Sequence, residues 1–206
     1  MTVPSEAALL SLLDLSCMRG GRLLFRHITL SLCAGEAAAL HGPNGVGKSS
    51  LLRVCAGLLP PFAGAVERSG TVALADDRLA LDMDTALLPA LAFWAQLDGT
   101  PRVAVEGAIE AMALSKLIDL PVRMLSTGQR KRAAIARVIA SRAPIWLLDE
   151  PTNGLDQSSL TLLANAVTDH LAKGGCVLAA SHQALPFAVS ETIALAPLAV
   201  DDACAS

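Results

Sequence analysis

The chain has 206 residues and a net charge of −3, enough for one large domain or a domain with a subdomain, and without the broad positive field that draws proteins to nucleic acid. Hydrophobic residues make up 53% and the mean hydropathy is +0.51, yet Ser, Asp, Gly or Pro break every apolar run before the roughly 18 residues of a membrane span. Five cysteines, odd in number and without C-x-x-C spacing, read as free cytosolic thiols and argue against a disulfide framework or a zinc site. No Lys or Arg precedes Arg19, so the N-terminus lacks the charged n-region of a secretory signal. The apolar excess fits either a surface that docks on a partner or Ala-rich helices.

Residues 9–17 and 27–32 read as strands, with a hairpin at Gly20 and Gly21 between them. AAALHG at 37–42 is a short apolar run suited to a buried parallel strand. It runs into GPNGVGKSS at 42–50, and a helix is expected over 49–59, stopping near Pro60 and Pro61. Residues 71–75 make another strand candidate. From about 85 to 142 the pattern turns helical, in stretches at 85–97, 103–118 and 128–142. Strands return at 145–149, 177–180 and 192–195, with a helix over 157–172. This order predicts an α/β fold: a mostly parallel sheet, an inserted α-helical subdomain at about 85–142, and an antiparallel β layer at the N-terminus.

The 42–50 run fits G-x-x-x-x-G-K-[ST], with Gly42, Gly47, Lys48 and Ser49 in the required places. Glycines let the backbone curl so that several N–H groups face one phosphate. Lys48 reaches the β- and γ-phosphates, Ser49 can hold Mg²⁺, and the helix start adds its positive end. Strand, Gly-rich loop and helix together make this a P-loop, in an NTPase core of the RecA-like kind. IWLLDEP at 145–151 is an apolar strand ending in Asp149 and Glu150, which delivers both carboxylates to the edge of the sheet where ligands bind. Asp149 is suited to Mg²⁺ and Glu150 to polarising an attacking water. LSTGQRKRAAIAR at 125–137 opens a strong helix, with Ser126 as a good cap and Gly128 and Gln129 beside it. This is a second phosphate cradle. One ATP in one monomer has no use for two cradles, whereas two chains facing each other do.

These motifs resemble those of the ATP-binding cassette (ABC) ATPases. LSTGQ is similar to the family signature, NGLD at 153–156 to its D-loop with Asp156, and SHQ at 181–183 to its switch histidine, His182. Order and spacing match over nearly the whole chain, which the resemblance implies is a single nucleotide-binding domain over 1–206. It implies ATP and Mg²⁺ as cofactors. Gly42, Pro43, Asn44, Gly45, Val46, Gly47, Lys48, Ser49 and Ser50 would cradle the nucleotide, and Ser49 and Asp149 the metal. Glu150 would act as base, His182 as the γ-phosphate contact, Asp156 would join the nucleotide-binding residues, and Ser126, Gly128 and Gln129 would act in trans on the other subunit's nucleotide. The implied assembly is a homodimer of these subunits on integral membrane permease subunits, at the cytoplasmic face of the inner membrane, with no nucleic acid.

Two places depart from the family pattern. The Gln that usually precedes the helical subdomain is missing from LADDRLALDMD at 74–84, where Arg78 or Asp77 takes its place. The chain has no Tyr to stack on adenine, and Arg19 or Met18 lies near that position. Arg130, Lys131, Arg132, Arg137 and Arg142 read as a solvated basic face in preference to a nucleic-acid patch, and Trp94 and Trp146 read as packing residues. The chain is short for the family and ends soon after His182, so no regulatory domain is expected. FW at 93–94, PVRMLSTGQRKR, IWLLDEP and SHQAL resemble the ATP-binding subunits of cytochrome c maturation, which implies heme delivery with permeases of the CcmB and CcmC type. Another transported substrate, such as a lipid, a drug or a lipoprotein, is the alternative. Non-transport ABC ATPases resemble fused cassettes or carry long coiled-coil insertions, which this chain lacks, and a P-loop kinase has no need of LSTGQ.

Overall fold

In the computed structural model, which describes residues 7–197, strand β1 (Leu10–Arg19) turns back into β2 (Arg22–Leu32). Gly20 and Gly21 form the turn, both with positive φ, as a two-residue hairpin loop demands. Strand β3 (Ala37–His41) enters the P-loop, and α1 (Lys48–Cys55) leaves it. The helix stops four residues short of the expected 59. Gly57 N–H bonds to Val54 O at 3.0 Å and Leu58 N–H to Arg53 O at 2.8 Å, a Schellman cap that ends the helix before the prolines are reached. Strand β4 (Ala63–Arg68) then pairs antiparallel with β1, giving the order β2-β1-β4. Its largely exposed Ala-Gly-Ala start carries no alternation, and the sequence does not announce it.

Strand β5 (Val72–Ala75) is followed by helices α2 (Leu87–Leu97), α3 (Arg102–Ala111) and α4 (Thr127–Ser141), then β6 (Ile145–Asp149), α5 (Gln157–Ala172), β7 (Cys176–Ala180) and β8 (Glu191–Ala194). The second sheet is parallel throughout, in the order β5-β6-β7-β3-β8. Helix α3 is shorter than the expected 103–118. Ala113 adopts φ 50° while Leu114 N–H reaches back to Ile109 O at 2.9 Å. A left-handed alanine costs about 1–2 kcal/mol, which the full burial of Met112 and Leu114 offsets.

The parallel sheet is covered on both faces. Trp146 and Leu148 of β6 pack with the helical elements, while Ile145 and Leu147 face a second core shared with α1 and the antiparallel sheet. This is why IWLLD is apolar without alternation. Trp146 stacks on His170 with ring centroids 3.8 Å apart, and Trp94 lies under the Arg137 guanidinium, so both tryptophans are packing residues. Cys17, Cys55 and Cys176 are buried thiols, with burial pushing Cys55 and Cys176 up to about 12. Cys204 lies outside the described residues. No helix among the described residues is long and apolar enough to cross a membrane.

Because the strands run parallel, their C-terminal ends share one edge. Asp149 pairs with Ala180, and Ala180 with Leu40. The loops that leave β3, β6 and β7 therefore start side by side.

Candidate functional site

The phosphate loop is held from below. A Cβ on Gly42 (φ 151°) would lie 2.4 Å from Leu195 O, so only glycine fits there. Val46 is buried in the core. Gly47, with φ 119°, starts α1. Lys48 is almost fully buried, and its ammonium donates to Gly42 O at 2.7 Å and Pro43 O at 3.3 Å. A cavity of about 320 Å³ runs along the loop, lined by Leu24, Asn44, Gly45, Gly47, Lys48, Ser49, Ser50 and Glu150. Leu24 of β2 lines it, not Met18 or Arg19. The sequence gives Leu24 no signal because it precedes the alternating stretch at 27–32.

The two acids at the end of β6 sit in different surroundings. Burial pushes the Asp149 carboxyl up, against a hydrogen bond from Ser49 that lowers it. Its Oδ1 is buried without a hydrogen-bond partner. A buried carboxylate oxygen with no partner, next to a hydroxyl, suits a hard cation bound through oxygen. Glu150 is half-buried and left-handed, with φ 45°, a strain of about 1–3 kcal/mol for a non-glycine residue. Its carboxylate lies 3.5 Å from the Lys48 ammonium and 2.8 Å from His182 Nδ1. Lys48, Glu150 and His182 thus meet, from three loops that are far apart in sequence.

Ser126, Gly128 and Gln129 lie at the start of α4. Ser126 Oγ accepts from Gln129 N–H at 3.2 Å, and Gln129 Oε1 accepts from Ser126 N–H at 2.8 Å, a complete capping box. A Cβ on Gly128 would lie 2.9 Å from Gly154 O, so this turn packs directly on the 153–156 loop. Asp156 is not brought to the P-loop cavity. Its carboxylate caps α5 by accepting from Ser159 N–H at 2.8 Å and Ser158 Oγ at 2.9 Å. Bonds from Ser159 first, then Ser158, hold its pKa down at about 2 against an ordinary 3.8. A depressed carboxylate stabilises the fold above its ordinary pKa and loses that effect as pH falls through the folded value. Asp156→Ala therefore melts below wild type at neutral pH. The gap in melting temperature narrows as pH drops from 3.8 towards about 2, as thermal denaturation followed by circular dichroism will show.

The basic helix face is not solvated as expected. Lys131 donates to Asp149 O at 3.0 Å, Arg132 to Met112 O at 2.8 Å, and Arg130 to Leu125 O at 2.9 Å. Arg137 bonds Leu74 O, and Arg142 alone of the five is exposed. Buried carbonyls left over at turns and strand ends need donors, and long cationic side chains supply them while packing their stems. Burial lowers the Lys131 pKa despite the carboxylates of Asp149, Glu150, Asp76 and Asp77 around it.

In the 74–84 segment that lacks the Gln, Asp76 and Asp77 both accept from Arg53 of α1, at 3.0 and 3.1 Å. They line a cavity of about 450 Å³ with Ser49, Lys131, Asp149 and Glu150; Arg78 does not. Leu79 lines this cavity and also an apolar groove of about 470 Å³ with Leu81, Pro89, Phe93 and Trp94.

Residues 25–153 match the family model for ABC transporters. The chain is 54% identical to the cytochrome c biogenesis ATP-binding export protein CcmA of Zymomonas mobilis, over 88% of this chain and 82% of that protein. It is 55% identical to CcmA of Sphingopyxis alaskensis, over 86% and 91%. A solved ATP-binding subunit of an ABC transporter superposes with a TM-score of 0.78 at 24% identity, covering 84% of this chain and 79% of that one.

Proposed function

Because the chain belongs to the ATP-binding family of ABC transporters, we propose that it is the MgATP-hydrolysing subunit of a cytochrome c biogenesis transporter, acting as a head-to-tail homodimer with two ATP molecules between the copies. The convergence of Lys48, Glu150 and His182 at one sheet edge carries the catalytic part. Phosphoryl transfer to water needs positioning and charge neutralisation more than covalent chemistry. Lys48 and the Gly45–Ser50 backbone stabilise the β- and γ-phosphates. Glu150 takes a proton from the water whose oxygen bonds to the γ-phosphorus, as the bond from that phosphorus to the β–γ bridging oxygen breaks. His182, oriented by Glu150, contacts the γ-phosphate. Ser49 and Asp149 would hold Mg²⁺, which neutralises phosphate charge when bound. Ser126, Gly128 and Gln129 close over the nucleotide of the other copy, and Asp156 holds the adjoining loop.

The biological process rests on the relatives, whose names make them ATP-binding export proteins of cytochrome c biogenesis. The subunit then works at the cytoplasmic face of the inner membrane, under integral permeases of the heme-exporter type. The apolar groove that shares Leu79 with the cavity of Ser49, Asp149 and Glu150, with Phe93 57% exposed on its rim, supports docking of such a partner. No nucleic-acid partner is part of this reading, since all four cationic side chains of α4 donate to backbone carbonyls.

Phe93→Asp tests the docking. An interface anchor truncated to a charge costs binding by 2 kcal/mol or more, about 30-fold. The variant should bind ATP as wild type does and fail to co-purify with integral membrane subunits from solubilised membranes. Undiminished co-purification removes the groove from the interface. Identifying the co-purified partners tests the biogenesis assignment.

A further inference from the structure

Glu150 is held in a backbone conformation that an L residue rarely adopts. Such a conformation persists only where its surroundings over-determine it. Here the peptide plane that joins Asp149 to Glu150 is pinned at both edges. Glu150 N–H donates to Ala180 O at 2.8 Å, within the sheet edge. On the opposite side, Asp149 O accepts from the Lys131 ammonium at 3.0 Å. This fixed plane is the frame from which the φ of Glu150 directs its carboxylate towards Lys48 and His182.

The second pin comes from a distant element. Lys131 lies on α4, five residues after Ser126, about 7.5 Å along the axis at 1.5 Å per residue. One rigid helix therefore carries the signature turn at its tip and, in its second turn, the donor that fixes Glu150. If the side chain only balanced charge in the acidic cavity, a free ammonium among the carboxylates of Asp76 and Asp77 would serve. Instead the ammonium is directed at a backbone carbonyl.

The geometry points to Lys131 as a positioning residue for Glu150, one that makes the aim of the base in one nucleotide site depend on the helix that closes the other. The inference rests on the proposed roles of Glu150 and of the head-to-tail dimer. As α4 moves to meet the partner's nucleotide, Lys131 draws on the Asp149 carbonyl of its own site. The two sites are thereby coupled through one side chain, without a contact between the nucleotides.

The test is a mutant cycle on the full chain, purified with its membrane subunits. Lys131→Met keeps the stem and removes the donor. It should lower kcat about 10- to 100-fold, the scale of a misplacement of about 1 Å, and leave ATP affinity within about threefold, since Lys48 and its loop are untouched. Lys131→Arg keeps a donor and should recover most of the loss. A residue that acts only through Glu150 has nothing left to do once Glu150 is gone, so Lys131→Met/Glu150→Gln should hydrolyse ATP in single turnover as slowly as Glu150→Gln alone. A Lys131→Met enzyme within about threefold of wild-type kcat overturns the inference. So does a double variant slowed further by the full Lys131→Met factor, or a fall in ATP affinity that matches the fall in kcat. Normal turnover by Glu150→Gln alone is a separate result, which removes the base assignment itself.

Discussion

Glu150→Gln should cut steady-state ATP hydrolysis by roughly 100- to 10,000-fold, the contribution of a positioned general base, while ATP still binds. The substitution is nearly isosteric and accepts the same strained backbone. The amide oxygen can still take the hydrogen bond from His182 Nδ1, now 2.8 Å from Glu150, so the histidine stays oriented. What disappears is the proton acceptor and one negative charge beside the Lys48 ammonium. Losing that charge frees Lys48 for phosphate and removes a repulsion from the γ-phosphate, so the nucleotide-bound state gains stability as it loses turnover. ATP should then hold two copies together long enough to detect by light scattering after size exclusion. Phosphate release within tenfold of wild type sinks the base role, whatever the dimer does.

The residues that meet at Glu150 are legible in the sequence for a physical reason. A phosphate cradle needs glycines, a lysine and a hydroxyl at fixed spacing, and a buried parallel strand needs an unbroken apolar run. Neither depends on distant parts of the fold. Lys48, Ser49, Asp149 and Glu150 announce themselves on those grounds, and His182 does so only through its place in an ordered series. The features that escape are those decided by tertiary context. Strand β4 exists because β1 offers it an edge, and its own residues carry no pattern. The end of α1 depends on Gly57 adopting a left-handed turn. The arginines and the lysine of α4 look like a wet face because charge alone is visible in a sequence, while the carbonyls that claim Arg130, Lys131 and Arg132 are brought there by other elements. Leu24 lines the P-loop cavity only because β2 starts earlier than its alternation does. At 74–84 the sequence shows a missing Gln, but the bonds from Arg53 that hold Asp76 and Asp77 depend on the fold bringing this α1 residue beside the loop that follows β5.

Ser126→Arg should abolish hydrolysis while the monomer binds ATP as before. Ser126 is exposed at the tip of α4, away from the Lys48 loop of its own chain, so a purely local change there should leave that chain's nucleotide affinity within about threefold. The fold should tolerate the change as well. Loss of a serine cap costs roughly 1 kcal/mol, and a cation at a helix N-terminus about 0.3–1 kcal/mol more, small against a typical domain stability of about 5–15 kcal/mol. Arginine has no side-chain oxygen to accept the Gln129 N–H, so the capping box opens and its donors lose their aim. Its bulk also fills the space where the facing copy's phosphates would sit, which removes preorganised donors worth about 100- to 1,000-fold or more in rate. Mixing Ser126→Arg with Lys48→Ala distinguishes a shared site from a self-contained one. Each variant is inactive alone, but in a mixed pair the intact loop of the first chain faces the intact signature turn of the second, and partial turnover returns. If Ser126→Arg hydrolyses ATP with no dimer detectable at any ATP concentration, each chain completes its own site, and the capping box of α4 is a helix start and nothing more.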